Sequence, residues 1–162
     1  MDINIHPLFV HFPIALLTLY SLFELADLTP LKRWSHLSAI KKTFLGLGTI
    51  GALATFQTGL MAERLITAGG GSAGDLVATH KFWAFFTMIL FSSLSALYLM
   101  EWHFAQKAPL NARVLKLWAI FRPILALVGL LGITATGVLG GAIVYGPEAD
   151  PFIKALYPLL VK

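Results

Sequence analysis

The chain contains no cysteine. That excludes disulfides, thiolate metal sites, iron–sulfur clusters and covalently attached haem. Charge is scarce as well: 12% of the 162 residues are Asp, Glu, Lys or Arg, against ~25% in an ordinary soluble domain. No stretch interleaves aromatic and basic residues as a nucleic-acid platform does, so the net charge of +4 does not point to nucleic acid. The N-terminal segment has no Lys or Arg, and no small-residue cleavage site follows the first apolar run. That run is therefore expected to be a retained span and not a signal peptide.

What remains is apolar. Hydrophobic residues make up 57% of the chain and the mean hydropathy is +0.78. They gather in four runs, Leu8–Ala26, Thr43–Ala62, Phe82–Met100 and Ile120–Tyr145. At ~1.5 Å per helical residue each crosses a hydrocarbon core of about 30 Å. The expected fold is an all-α membrane protein, a four-transmembrane-helix bundle that uses residues 1–162 as a single domain.

Loop charge predicts the orientation. Lys32, Arg33, Lys41 and Lys42 lie between the first two runs, and Lys107, Arg113 and Lys116 between the last two. By the positive-inside rule these loops face the cytoplasm and both termini lie outside. His6, His11 and His80 then collect at the outer leaflet, with Gln57, Thr58, Gly59 and Glu63 closing the second span and Thr136, Gly137, Gly140, Gly141 and Tyr145 closing the fourth. His36 and His103 fall on the opposite side. A stripe of His11, Thr18 and Ser21 is expected to face the bundle, although His6 and His11 sit about 140° apart on a regular helix. Pro13 either kinks the first helix or marks its true start. Glu24 and Asp27 read as an interfacial charge pair near the basic loop. Gln57 in lipid needs a hydrogen-bonding partner. The glycines of spans two and four read as close-packing seams. Gly46-x-Gly48-x-x-Gly51 lacks the preceding strand of a dinucleotide fingerprint. Trp34, Trp83, Trp102 and Trp118 fit interfacial aromatic belts.

The string His6-Pro-Leu-Phe-Val-His11-Phe-Pro-Ile-Ala-Leu, Thr58-Gly59, His80 and the ending Gly140-Gly141-Ala-Ile-Val-Tyr145 together resemble a bacterial four-span membrane family, domain of unknown function 2231. The resemblance covers nearly the whole chain. It implies a multi-pass protein of the bacterial inner membrane, with His6, His11, His80, Gly141 and Tyr145 at the family's marked positions. It implies no particular activity. After Tyr145 the sequence Gly146-Pro147 departs from the longer outer segment often found in the family.

Three functional expectations follow. In the first, His11 and His80 ligate a b-type haem accommodated by Gly137, Gly141 and Tyr145, for electron transfer between quinone and redox membrane proteins. In the second, His6, His11 and His80 with Glu63 bind a transition metal, copper or zinc. In the third, the histidines only fix the bundle end, and the protein is a non-catalytic structural or assembly subunit of a membrane complex. Cofactor or metal binding is placed ahead of the structural reading. No nucleophile–base pair marks a catalytic residue, and no run of intramembrane charge marks a transport pathway.

Overall fold

Long apolar runs with few breakers demand helices, since in lipid every backbone polar group must be satisfied within its own segment. The computed structural model describes residues 4–29, 37–68, 74–107 and 111–161. They form α1 (His6–Ala26), α2 (Leu37–Ala68), α3 (Asp75–Ala105), α4 (Ala112–Tyr145) and α5 (Pro151–Leu160). The first four are long and apolar enough to cross a membrane, as the sequence predicts. Among the described residues there is no strand. Lys32, Arg33, Trp34, His36, most of the glycine-rich loop after α2 and Lys162 lie outside the described residues.

Each spanning helix outruns its apolar stretch. α2, for instance, starts at Leu37 and ends at Ala68 rather than at Thr43 and Ala62. Hydropathy registers only the part that lipid would contact, whereas Lys, Glu, Arg and Leu on the flanks are good helix formers. α5 is apolar but too short to read as a span, and no helix is expected there from the four runs. Asp150 caps it, accepting the Phe152 and Ile153 backbone N–H groups at 2.8 and 2.9 Å, and Pro151 takes the first turn, where its missing N–H costs nothing.

Each spanning helix packs on two neighbours: α1 on α2 and α4, α3 on α2 and α4. The four thus close into an up-and-down ring with α1 diagonal to α3. α5 returns against α4, where Ile153 is buried with Val138 and Ala142. The outside of the ring is apolar along its length, with Leu8, Phe12, Ile50, Phe82 and Leu131 among its exposed residues. The inside carries Leu17, Tyr20, Phe91 and Leu94 together with buried Ser21, Glu24, Lys41, Thr49 and Thr87. A water-soluble bundle would bury its apolar stripe and solvate its charges. This one buries an apolar core too, but also encloses Glu24 and Lys41 and leaves its outer face apolar.

α1 runs unbroken through Pro13. The ring deprives the Phe9 carbonyl of its usual donor four residues on. The Thr55 hydroxyl of α2 supplies one, at 3.0 Å. A neighbouring helix thereby restores the missing bond, as lipid requires.

Candidate functional site

Eighteen residues are five helical turns, so His6 and Glu24 share one face of α1, as His80 and Tyr98 share one face of α3. Both faces point inward. The bundle consequently holds polar groups at each end, ~27 Å apart by helical rise.

At one end stand His6 of α1 and His80 of α3, on diagonal helices. His80 Nδ1 lies 3.1 Å from the Thr136 carbonyl oxygen. A carbonyl only accepts, so Nδ1 carries the proton and Nε2 an unshared pair. His6 Nδ1 lies 3.1 Å from Thr58 Oγ1. The single hydroxyl hydrogen of Thr58 is directed to the Thr55 carbonyl at 2.9 Å, so here too the ring donates through Nδ1. Both imidazoles therefore adopt the same tautomer and leave Nε2 for another partner. Each also rests on a glycine: a Cβ at Gly59 would come 3.2 Å from His6 Cε1, and one at Gly140 3.2 Å from His80 Cε1.

The other residues expected at this site are placed elsewhere. His11 is exposed on the outside of α1, because a step of five residues turns it away from His6. The inward stripe of α1 is Pro13, Leu17, Tyr20, Ser21 and Glu24, so of His11, Thr18 and Ser21 only Ser21 is fully buried. Glu63 spends both oxygens on Lys81 Nζ, at 2.9 and 2.8 Å. Gly137 is exposed, with open space where a side chain would be. Gly141 packs under Ile153 of α5. Tyr145 is 76% exposed, and Gln57 and His103 are exposed too. His6, His11, His80 and Glu63 thus do not assemble. Among the described residues no three His, Asp or Glu side chains converge as a metal-ligand set. An apolar groove of about 370 Å³ between α1 and α2 is lined by Phe9, Phe12, Ile50 and Gly51 and borders neither histidine.

At the opposite end the sequence reading missed a buried ionic cluster. Glu24 is 2% exposed and Lys41 4%. Lys41 Nζ sits 3.0 Å from Glu24 Oε2 and also pairs with Asp27. The Tyr98 hydroxyl donates to Glu24 Oε2 at 3.0 Å and accepts from Arg122 Nη1 at 3.3 Å. Arg122 Nε lies 3.7 Å from Glu24 Oε1, and its guanidinium covers the Tyr98 and Trp118 rings, 5.4 and 5.7 Å from their centroids. Trp118 Nε1 donates to Glu101 at 2.7 Å, which gives this belt residue a specific partner. A cleft of about 90 Å³ opens beside Glu24, Asp27 and Arg122. Glu24 was legible in principle: it continues the inward series that begins at His6. Near a basic loop, however, an acidic residue reads first as solvated.

The family model described as predicted membrane protein (DUF2231) matches residues 2–149. The chain belongs to that family. No curated protein and no solved structure matches it. The protein is accordingly a multi-pass membrane protein that sits in a lipid bilayer.

Proposed function

We propose that this family member holds a transition-metal centre between His6 and His80. The carrying observation is the matched tautomer: each Nδ1–H is committed to a neighbouring helix, which fixes the ring and leaves the Nε2 lone pair for coordination. Two imidazoles suit axial ligation of a b-type haem iron. They also suit a copper ion, whereas structural zinc asks for four protein ligands. A redox-active centre at this depth would serve electron transfer with quinone or membrane redox partners. Charge in the loops favours placing the histidine end outside the cytoplasmic membrane of a bacterium.

Protein purified in mild detergent is expected to carry about one metal or haem per chain, read by elemental analysis and by the optical spectrum between roughly 380 and 600 nm. His6→Ala and His80→Ala abolish it, and His11→Ala and His103→Ala do not. Retention of the centre in both of the first two variants overturns the proposal.

A second reading has its own support. His6 ties α1 to α2, His80 ties α3 to α4, and Lys81–Glu63 ties α3 to α2, so this end is a polar clamp even without a ligand. A colourless, metal-free protein in which both histidine variants melt earlier favours that role, as a structural or assembly subunit.

A further inference from the structure

The string Gly48-x-x-Gly51-x-x-Ala54-Thr55-x-x-x-Gly59 in α2 recurs in α4 as Gly129-x-x-Gly132-x-x-Ala135-Thr136-x-x-x-Gly140, displaced by 81 residues. The same displacement carries Lys41 onto Arg122. Aligning α1 with α3 through His6 and His80, a displacement of 74 residues, superposes Phe12 on Phe86, Leu16 on Leu90, Ser21 on Ser95, Leu25 on Leu99 and Asp27 on Glu101.

The contacts follow the same two displacements. A Cβ at Gly48 would meet Leu17 at 2.7 Å and Leu16 at 3.2 Å; at Gly129 it would meet Phe91 at 2.5 Å and Leu90 at 3.0 Å. Gly51 faces Phe12 and Pro13, and Gly132 faces Phe86 and Thr87. Gly59 lies under His6 as Gly140 lies under His80. The hydrogen bonds differ in one respect: His80 meets the carbonyl of Thr136, the counterpart of Thr55, whereas His6 meets the hydroxyl of Thr58, whose counterpart is Leu139. At the opposite end the counterparts Glu24 and Tyr98 meet directly, with the counterparts Lys41 and Arg122 on either flank. Helix packing alone explains small residues at regular spacing. It does not explain why each glycine meets the counterpart side chain, nor why His, Thr and a basic residue recur in register.

We infer that the chain is a tandem duplication of one two-helix unit, and that His6 and His80 are the equivalent halves of a single site on the pseudo-twofold axis between the copies. This rests on the metal-centre reading above and narrows it. The centre takes two equivalent imidazoles, one from each copy, and brings its remaining ligands with it or needs none. The other histidine and carboxylate candidates lack a counterpart: His11 corresponds to Phe85 and Glu63 to Val144. A site using either would not be symmetric.

The experiment has two arms on the full chain, whose lack of native cysteine permits site-directed labels. Nitroxides are attached to Phe12→Cys/Leu131→Cys in one sample and to Phe86→Cys/Ile50→Cys in another; all four parent residues are exposed. The duplication makes the two α1–α4 and α3–α2 distance distributions coincide, and separate distributions overturn it whatever the protein binds. In the second arm, His6→Gly and His80→Gly are purified with and without imidazole. Equal fold-loss of bound metal or haem, with imidazole restoring the same spectrum to both, supports two equivalent ligands. Loss in one variant alone overturns equivalence while leaving a metal site. Coincident distances in a protein that binds nothing overturn the centre and leave the duplication standing.

Discussion

Removing Lys41 tests the buried cluster hardest. Its ammonium is almost completely enclosed and neutralises Glu24, itself enclosed, while also pairing with Asp27. Lys41→Met keeps the length of the stem and deletes the charge. Stripping one partner from a buried ion pair costs ~3–5 kcal/mol, because the other charge is left desolvated. Glu24 keeps the Tyr98 hydroxyl at 3.0 Å and Arg122 at 3.7 Å, which places the loss at the lower end, ~3 kcal/mol. For a chain of this length that lowers Tm by roughly 6–12 °C. The assay is thermal unfolding in detergent followed by far-UV circular dichroism, with the exposed neighbour substituted as Lys42→Met for comparison. The double variant Glu24→Gln/Lys41→Met removes both fully buried charges and leaves only the partly exposed Asp27 and Arg122 without those partners, so part of the loss returns. A Lys41→Met protein within ~1 kcal/mol of the parent would mean a solvated pair and would refute the argument.

Four smaller effects follow from the same packing. Gly129→Ala puts a Cβ 2.5 Å from Phe91 Cζ and lowers stability by ~1–3 kcal/mol through overpacking. Gly46→Ala, with no atom within 4 Å of its Cβ, is neutral or gains up to about 1 kcal/mol; the same melts compare the two. Tyr98→Phe leaves the buried Glu24 oxygen without its hydroxyl donor and costs ~1–3 kcal/mol, measured as a fall in Tm. Asp150→Ala removes the α5 cap, a local loss of about 1 kcal/mol. It shows as faster amide exchange in α5 with the main transition unchanged.

The spans were legible because lipid imposes a length and composition that any window of sequence reveals, and α1 to α4 contain all four predicted runs. Helix ends were less legible, since flanking polar residues such as Lys41 and Glu63 extend the helices beyond the apolar stretch. Of the candidate site, His6 and His80 face the bundle interior; of the glycines that seat them, Gly140 belongs to the predicted seam of span four and Gly59 to the group expected to close span two. His11 illustrates what remained hidden. Its interval from His6 already pointed to the outside, and the inward stripe chosen for α1 began one position off the face that Pro13, Leu17, Tyr20 and Glu24 define. Glu24 and Lys41 were hidden for a different reason. Glu24 lies on the inward series of α1, but its partners Lys41, Tyr98 and Arg122 come from three other helices, and no local pattern announces that meeting. Gly141 and Tyr145 sit at a predicted span end, but α5 claims the first and the bundle exterior the second.

Counting the imidazole nitrogens bound to the metal tests the central claim most directly. X-ray absorption at the metal edge of the purified protein, with electron paramagnetic resonance of a paramagnetic state prepared from histidine labelled with nitrogen-15, gives that number. The account predicts two equivalent imidazole nitrogens in the parent protein, and one labelled nitrogen in each of His6→Gly and His80→Gly restored with unlabelled imidazole. A bound metal with no imidazole nitrogen, or a protein free of any metal, contradicts it.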